Sequence, residues 1–316
     1  MMPITLNWNE IEPLIAKLDI NDAMRNAFIE YSNGNAVIPP VGELIMQEPP
    51  GEAHIKYGYI KGGSHYVIKI ASGFPLNQKE NIKPGQGMML LFDIQTGVPK
   101  AILIDDANLT DIRTAVAGAI ASKALSNHGI ESFTIIGTGV QARYQAIHVS
   151  ELMNIKNVRV WGRDTEKANK LKEDLSDLDI TVVTDIEKLV KESRLIITTT
   201  SSREPLIKSN WVKPGTHITA VGSDTPDKCE LDPSILSIAD LVVADSLEQN
   251  LIRGEVHQAV KRSLIGYSDI VELGKIFADE GLGRKDSKEI SIVDLTGVAI
   301  QDLVIAESIY SKVTDW

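Results

Sequence analysis

The stretch FTIIGTGVQARYQA, residues 133–146, constrains the fold more than any other part of the chain. An apolar run ends on Gly137, a second glycine follows at Gly139, and helix-forming residues take over from there. The first glycine permits a tight turn out of a strand, and the second lets a phosphate approach the backbone. The small Ala142 lets the following helix pack close to the sheet. A helix N-terminus also presents free N–H groups and the positive end of its dipole, which attract an anion. Gly137, Gly139 and Ala142 thus fit G-x-G-x-x-A. Glycine pairs also serve ordinary strand–helix turns. Here, however, the pair follows an apolar strand, opens a helix and begins a β-α-β run, the context in which the motif reads as a dinucleotide site.

The rest of the chain supports that context. Strand-like runs recur at 133–137, 158–162, 194–201, 216–222, 240–245 and 290–295, with helical patterns such as DTEKANKLKEDLSD between several of them. Alternation of this kind implies a parallel, doubly wound sheet of the Rossmann type. Residues 36–112 have another texture: short β-rich runs, HYVIKIAS, GMMLLFDI and PKAILID, broken by the turns PPG, KGG, KPG and QTG. They predict a mostly antiparallel sheet, preceded by one helix over 10–32. The final helix, VAIQDLVIAESIYSKV, carries an apolar stripe and can pack back on that sheet. The expected class is α/β, with a dinucleotide-binding unit at 113–297 inserted in an α+β unit formed by 1–112 and 298–316.

Charge narrows the function. The net charge of −11 argues against nucleic acid, whose phosphates require a basic face. No apolar run approaches the roughly 20 residues of a membrane span. The single cysteine, Cys229, cannot form an internal disulfide, which fits a reducing cytoplasm. No metal is called for.

The strand after the glycine turn ends VWGRD. A site selective for NAD usually places an acid there, on the ribose hydroxyls. This chain has Trp161 and Gly162, then Arg163. An arginine pairs bidentately with a 2′-phosphate, so NADP(H) is favoured over NAD(H). The competing reading makes Arg163 a surface residue and Asp164 a helix cap, with Asp164 still in reach of the ribose.

Four polar residues stand out elsewhere. Lys69 interrupts the apolar strand YVIKIASG, either as an edge-strand charge or as a deliberately placed cation. Arg113 is read in the first turn of a helix, in LTDIRTAVAGA. A guanidinium there suggests a shared anion, the alternative being a salt bridge to Asp111 or Asp106. Asp224 and Asp294 each follow a strand of the doubly wound sheet, where such folds place ligands, although capping is the commoner role of an isolated aspartate.

Taken together, VIKIASGFP, LTDIRTAVAGA, IIGTGVQARYQ, AVGSDTPDKCELD and DLTGVAIQD resemble the ornithine cyclodeaminase/μ-crystallin family, in order and over nearly the whole chain. The resemblance implies a homodimer and an NAD(P)-dependent enzyme acting on small amino or imino acids. It puts Lys69 and Arg113 on a substrate carboxylate and Asp224 at the substrate nitrogen. Gly137 to Ala142 lie on the pyrophosphate, with Thr138, Val140 and Gln141 beside it, and Thr114 touches a phosphate. The cofactor site is completed by Gly162, Arg163 and Asp164, and by Thr200, Val221, Asp294 and Val298. The μ-crystallin branch lacks an acid at the Asp224 position, so its presence implies amine or imine chemistry. The family also commonly carries an arginine where this chain has Gly42, and Lys56 is the candidate substitute. The favoured expectation is reduction of an imino acid such as Δ1-pyrroline-2-carboxylate to proline. The rivals are ornithine or lysine cyclodeamination on bound NAD and simple binding of NADPH and a small ligand.

Overall fold

The structure, a computed structural model, describes residues 2–80 and 82–314. It divides into two compact units, one of Met1–Arg113 with Val298–Trp316 and one of Thr114–Gly297. The first division falls inside the helix Asn108–Leu125.

The first unit is built on β1 (Ile4–Asn7), β2 (Ala36–Val37), β3 (Gly42–Met46), β4 (Gly51–Ile60), β5 (His65–Gly73), β6 (Gly85–Asp93) and β7 (Pro99–Ile104). The order is β1-β7-β6-β5-β4-β2, with β3 on the other part of β4. All pairs are antiparallel except β1 with β7. Strand alternation sets what is buried: His65, Val67 and Lys69 lie on one face of β5, and Met89 and Leu91 lie on the matching face of β6. The C-terminal helix Ala299–Thr314 packs on β4, β5 and β6 and on the helix Asn21–Ser32. Its first eight residues are all buried, Gln301 and Asp302 among them.

The single helix expected over 10–32 is two helices, Trp8–Ile15 and Asn21–Ser32. Asn7 and Glu10 form a capping box that starts the first, and the Asp19 side chain accepts the Asn21 N–H at the start of the second. The strand β1 ahead of them has no counterpart in the sequence reading.

The second unit carries β8 (Ser132–Ile136), β9 (Asn157–Trp161), β10 (Asp179–Val182), β11 (Leu195–Thr198), β12 (His217–Ala220), β13 (Leu241–Ala244), β14 (Ile270–Glu272) and β15 (Ser291–Asp294). They form one parallel sheet, β10-β9-β8-β11-β12-β15-β13-β14. The central strands β11, β12 and β15 are buried throughout and β8 is buried from Phe133 onward, so polar members such as Thr134, His217, Thr219 and Ser291 are buried with the apolar ones. The two strands missed in the sequence, β10 and β14, are the short edge strands, where burial demands the fewest apolar residues. Chain order reverses between β8 and β11, and ligands of doubly wound sheets bind outside the carboxyl ends of strands at that switch point.

Candidate functional site

Lys69 does not sit on an edge strand. β5 lies between β4 and β6, and the Lys69 side chain is buried. Its Nζ is 3.1 and 3.0 Å from the two carboxylate oxygens of Asp302 on the C-terminal helix. Arg113 belongs to the same cluster. Its Nε lies 2.9 Å from Asp302 Oδ1, an ion pair whose N–H is not aimed along the contact. A terminal nitrogen, Nη1, donates to Gln301 Oε1 at 2.7 Å, and that oxygen also accepts the Val298 N–H. The local salt bridge offered as the alternative for Arg113, to Asp111 or Asp106, is not the one the structure shows: the partners are Asp302 and Gln301. Arg113 is also the sixth residue of its helix rather than part of the first turn, because the helix starts at Asn108.

Asp105 anchors that start. Its Oδ2 accepts the Leu109 N–H at 2.8 Å, while Oδ1 is buried without a hydrogen-bond partner. Asp106 and Ala107 follow, both left-handed, a conformation that costs on the order of 1 kcal/mol or more for each non-glycine residue. Lys83 clamps the turn through the Asp106 carbonyl and the Asn108 side chain, each at 2.7 Å.

The electrostatics follow from burial. Desolvation pushes Lys69 down to about 8; Asp302 and Asp105 pull it back up and Arg113 pushes it further down. Burial alone would raise Asp302, but Lys69, Arg113 and Lys56 outweigh it and hold the carboxyl below its ordinary value. Desolvation lifts Asp105 to about 6, against the Leu109 amide and Lys69. Lys56 is buried as well, directly opposite Lys69 in the β4–β5 pairing. Gly42 stands opposite Ile55, so a side chain at 42 would leave from the face opposite to Lys56. Lys56 is therefore a cation on the Lys69 face in its own right, not a stand-in for a side chain at 42.

In the second unit the glycine turn has the shape that its sequence implies. Gly137 adopts φ +134, and a Cβ there would overlap Thr199 Oγ1. Gly139 is the N-cap of the helix Val140–Met153, with no side chain on the first N–H groups. A Cβ at Gly139 would meet nothing within 4 Å, so this helix end is open as well as uncapped. An uncapped helix N-terminus facing open space fits a pyrophosphate. Ala142 is fully buried, as close packing on the sheet requires. Thr138 accepts Arg143 through its carbonyl, and the Thr114 carbonyl accepts Gln145 at 3.2 Å. Arg163 is exposed and has no protein partner among the described residues. Asp164 caps the helix Thr165–Asp174, accepting from Glu166 and Lys167.

The remaining expected residues scatter. Asp224 is exposed on the segment after β12, its carboxylate paired with Lys228. Asp294 is wholly buried and accepts the Val256 N–H at 2.8 Å, at the start of the helix Gly254–Lys261. Desolvation lifts it to about 8. Val221 follows β12 and is buried; the Thr200 N–H donates to Glu230. Val298 belongs to the first unit.

The first unit thus gathers Lys56, Lys69 and Arg113, and adds three residues that the sequence reading did not single out: Asp302, Gln301 and Asp105. A signal for two of them was present, a Gln–Asp pair at the head of an otherwise apolar helix, inside the quoted motif DLTGVAIQD.

The sequence model of the ornithine cyclodeaminase/mu-crystallin family matches residues 2–316. An uncharacterised cyclodeaminase of Sinorhizobium fredii is 38% identical, over 96% of this chain and 92% of its own. The solved Δ1-pyrroline-2-carboxylate reductase of Thermococcus litoralis, in complex with NADH and L-proline, aligns with a TM-score of 0.91 at 29% identity, covering 99% of this chain and 98% of that one. An archaeal alanine dehydrogenase dimer with bound NAD gives 0.90 at 31% identity, over 100% and 98%. With the motifs, the fold and a match over the whole described length, the chain belongs to the ornithine cyclodeaminase/mu-crystallin family.

Proposed function

We propose that the protein is a cytoplasmic, homodimeric oxidoreductase that reduces the C=N bond of a small imino acid, or interconverts a small amino acid and its imine, with a nicotinamide dinucleotide. The observation that carries this reading is the buried cluster of Lys69 and Arg113 on Asp302. Cations are rarely buried together unless they serve an anion, and a carboxylate matches a guanidinium fork. The NADH, NAD and L-proline complexes of the two solved relatives point to the same chemistry.

The residues divide the work. Asp302 and Gln301 fix the Arg113 guanidinium on its Nε edge and one terminal nitrogen, which preorganises it for the substrate carboxylate. Lys69 adds a point charge and, titrating at about 8, is mainly an ammonium at neutral pH. Asp224 exchanges the proton at the imine nitrogen, which favours the iminium that accepts a hydride. The uncapped N–H groups after Gly139, with Thr138 and Gln141, hold the pyrophosphate. A bound nicotinamide dinucleotide supplies the hydride. Arg163 lies where a 2′-phosphate would be read, and Asp164 is committed to its helix cap, so NADP(H) is preferred.

Cyclodeamination of ornithine or lysine is the rival reading, supported by the name of the Sinorhizobium relative. One experiment separates them: purified protein with NADPH and Δ1-pyrroline-2-carboxylate, and separately with ornithine and catalytic NAD⁺. Oxidation of NADPH in the first supports the reductase and excludes a binding-only protein. Ammonia and proline in the second would make the cyclodeaminase the correct reading. Arg163→Ser should weaken NADPH binding about 10- to 100-fold while barely changing NADH, from the loss of a charge-assisted pair.

A further inference from the structure

We propose that Asp105 is a positioning residue for substrate capture: the carboxylate oxygen that it leaves unpaired holds Lys69 as an ammonium, the form that grips the substrate carboxylate. The inference rests on the reductase reading for what Lys69 binds, but not for what Asp105 does to Lys69.

The first observation is a surplus oxygen. Capping its helix takes one oxygen of Asp105, and Oδ2 accepts the Leu109 N–H. Asparagine or serine would cap as well. The other oxygen, Oδ1, is buried and has no hydrogen-bond partner. Burying an unpaired charged oxygen is costly unless a counter-charge lies close. The Lys69 ammonium is that counter-charge, favouring the ionised form of Asp105, whereas Asp302 opposes it.

The second observation is where the chain puts Asp105. Leu103 is buried, Ile104 is exposed and Asp105 is buried again, so Asp105 continues the inner face of β7. The left-handed Asp106 and Ala107 then fold the chain down on the sheet. A Cβ on Gly87 would come 3.4 Å from the backbone N and Cα of Ala107. Gly87 pairs with Ala71, two residues from Lys69 and so on the same face of β5. Lys83 clamps the turn in that place. A helix cap does not require two strained residues. Strain that the fold keeps and clamps implies that the placement is used.

The charged groups around the pair come from every neighbouring element. Asp302, on the C-terminal helix, takes Lys69 and Arg113. Lys56 on β4 lies opposite Lys69. At the turn, Lys83 lies 4.0 Å from Asp111. His65, on the Lys69 face of β5, is bonded to Glu307. Burial drives Lys69 down to about 8; Asp302 and Asp105 oppose this and Arg113 adds to it. Asp105, lifted to about 6 by burial, is ionised over the range in which Lys69 has to keep its proton. Without the Asp105 charge, Lys69 gives up that proton at a lower pH. Below about pH 6 Asp105 is itself protonated, and its support for Lys69 is gone in wild type too.

The test uses Asp105→Asn, which keeps an oxygen for the Leu109 N–H and removes the charge. Lysine labelled with ¹³C at Cε is followed by NMR from pH 5 to pH 10, and Lys69→Met assigns the Lys69 signal. The variant should lose the Lys69 proton about one pH unit below wild type, the effect of removing one nearby opposite charge. Asp105→Glu should recover part of that difference. An unchanged Lys69 titration in the folded variant overturns the proposal and leaves Asp105 a helix cap. Wild type offers a check that needs no variant: its Lys69 signal should also move as pH falls through about 6, and a flat response there overturns the proposal. Kinetics with NADPH and Δ1-pyrroline-2-carboxylate supply the functional readout. At pH 9 the variant should raise KM about 10-fold with kcat within about 2-fold, and the gap should close toward pH 6. A KM defect equal at pH 6 and pH 9 overturns the proposal. If wild type reduces no imine, the reductase reading fails, and the NMR titration alone decides what Asp105 does to Lys69.

Discussion

The two units each bury a cluster of ionisable groups, and the clusters are satisfied in opposite ways. In the first, Lys69 and Arg113 meet Asp302 side chain to side chain, and Lys56 adds a further cation. In the second, Arg253 and His217 are buried as well, but the cluster at the strand ends is of acids: Glu230, Asp245, Glu255 and Asp294. Their oxygens accept mainly backbone N–H groups. Glu230 takes Thr200 and Gly222, Glu255 takes Glu230 and Leu231, Asp294 takes Val256, and Asp245 takes Gly297. Burial lifts Glu230 to about 7 and Asp294 to about 8, and raises Glu255 well above the usual carboxylate range. Acids capped by amides pin loops at the carboxyl ends of β11, β12 and β15 and, Asp294 Oδ1 apart, need little from outside. Cations crowded on one carboxylate need more. Burial of charge alone does not mark a site; the kind of partner does.

The largest expected effect breaks the first cluster. Asp302→Ala leaves Lys69 and Arg113 buried without their anion and should cost about 3–5 kcal/mol in urea unfolding, as removal of one partner of a buried pair does. Stability near that of wild type would mean that the cations are not held by Asp302. Next comes the turn of the second unit. Gly137→Ala forces an L side chain to φ +134 against Thr199 and should lower stability by about 1–3 kcal/mol. Gly139→Ala, at a position with open space, should keep the melting temperature and weaken dinucleotide binding about 10-fold, by crowding the closest backbone approach. Equal behaviour of the two variants would remove the distinction between scaffold and cradle.

The smallest effect concerns the acidic cluster. Asp294 is lifted from its ordinary 3.8 to about 8, so the stability it contributes is complete below about pH 4 and lost as pH rises through about 8. Asp294→Asn keeps an acceptor for Val256 and removes the titration. Its thermal stability relative to wild type should therefore improve steadily from pH 4 to pH 8. A constant difference across that range would show that Asp294 does not titrate there.

Much of this contrast was legible in the chain. A strand apolar on both faces, YVIKIASG, marked Lys69 as out of place, and the glycine spacing after an apolar strand marked the turn. The partner of Lys69 was not legible, because Asp302 lies 233 residues away and only the packing of the C-terminal helix on β5 brings them together. The alternative partners offered for Arg113 were local ones for the same reason. The helix break near Asp19 escaped notice because the apolar spacing continues across it. Asp294 invites a ligand role from its place at a strand end, while the structure gives its oxygen a helix N–H. Local rules locate the unusual residue; tertiary packing decides whom it faces.

The central claim, that the cations of the first unit serve the substrate and the turn of the second serves the dinucleotide, is tested most directly by Lys69→Met. Imine reduction and NADPH affinity are measured on the same preparation. The account predicts a fall in kcat/KM of about 10³-fold or more with NADPH affinity within about 3-fold of wild type, a loss confined to the substrate side. Retained imine reduction, or a matching loss of NADPH affinity, would contradict it.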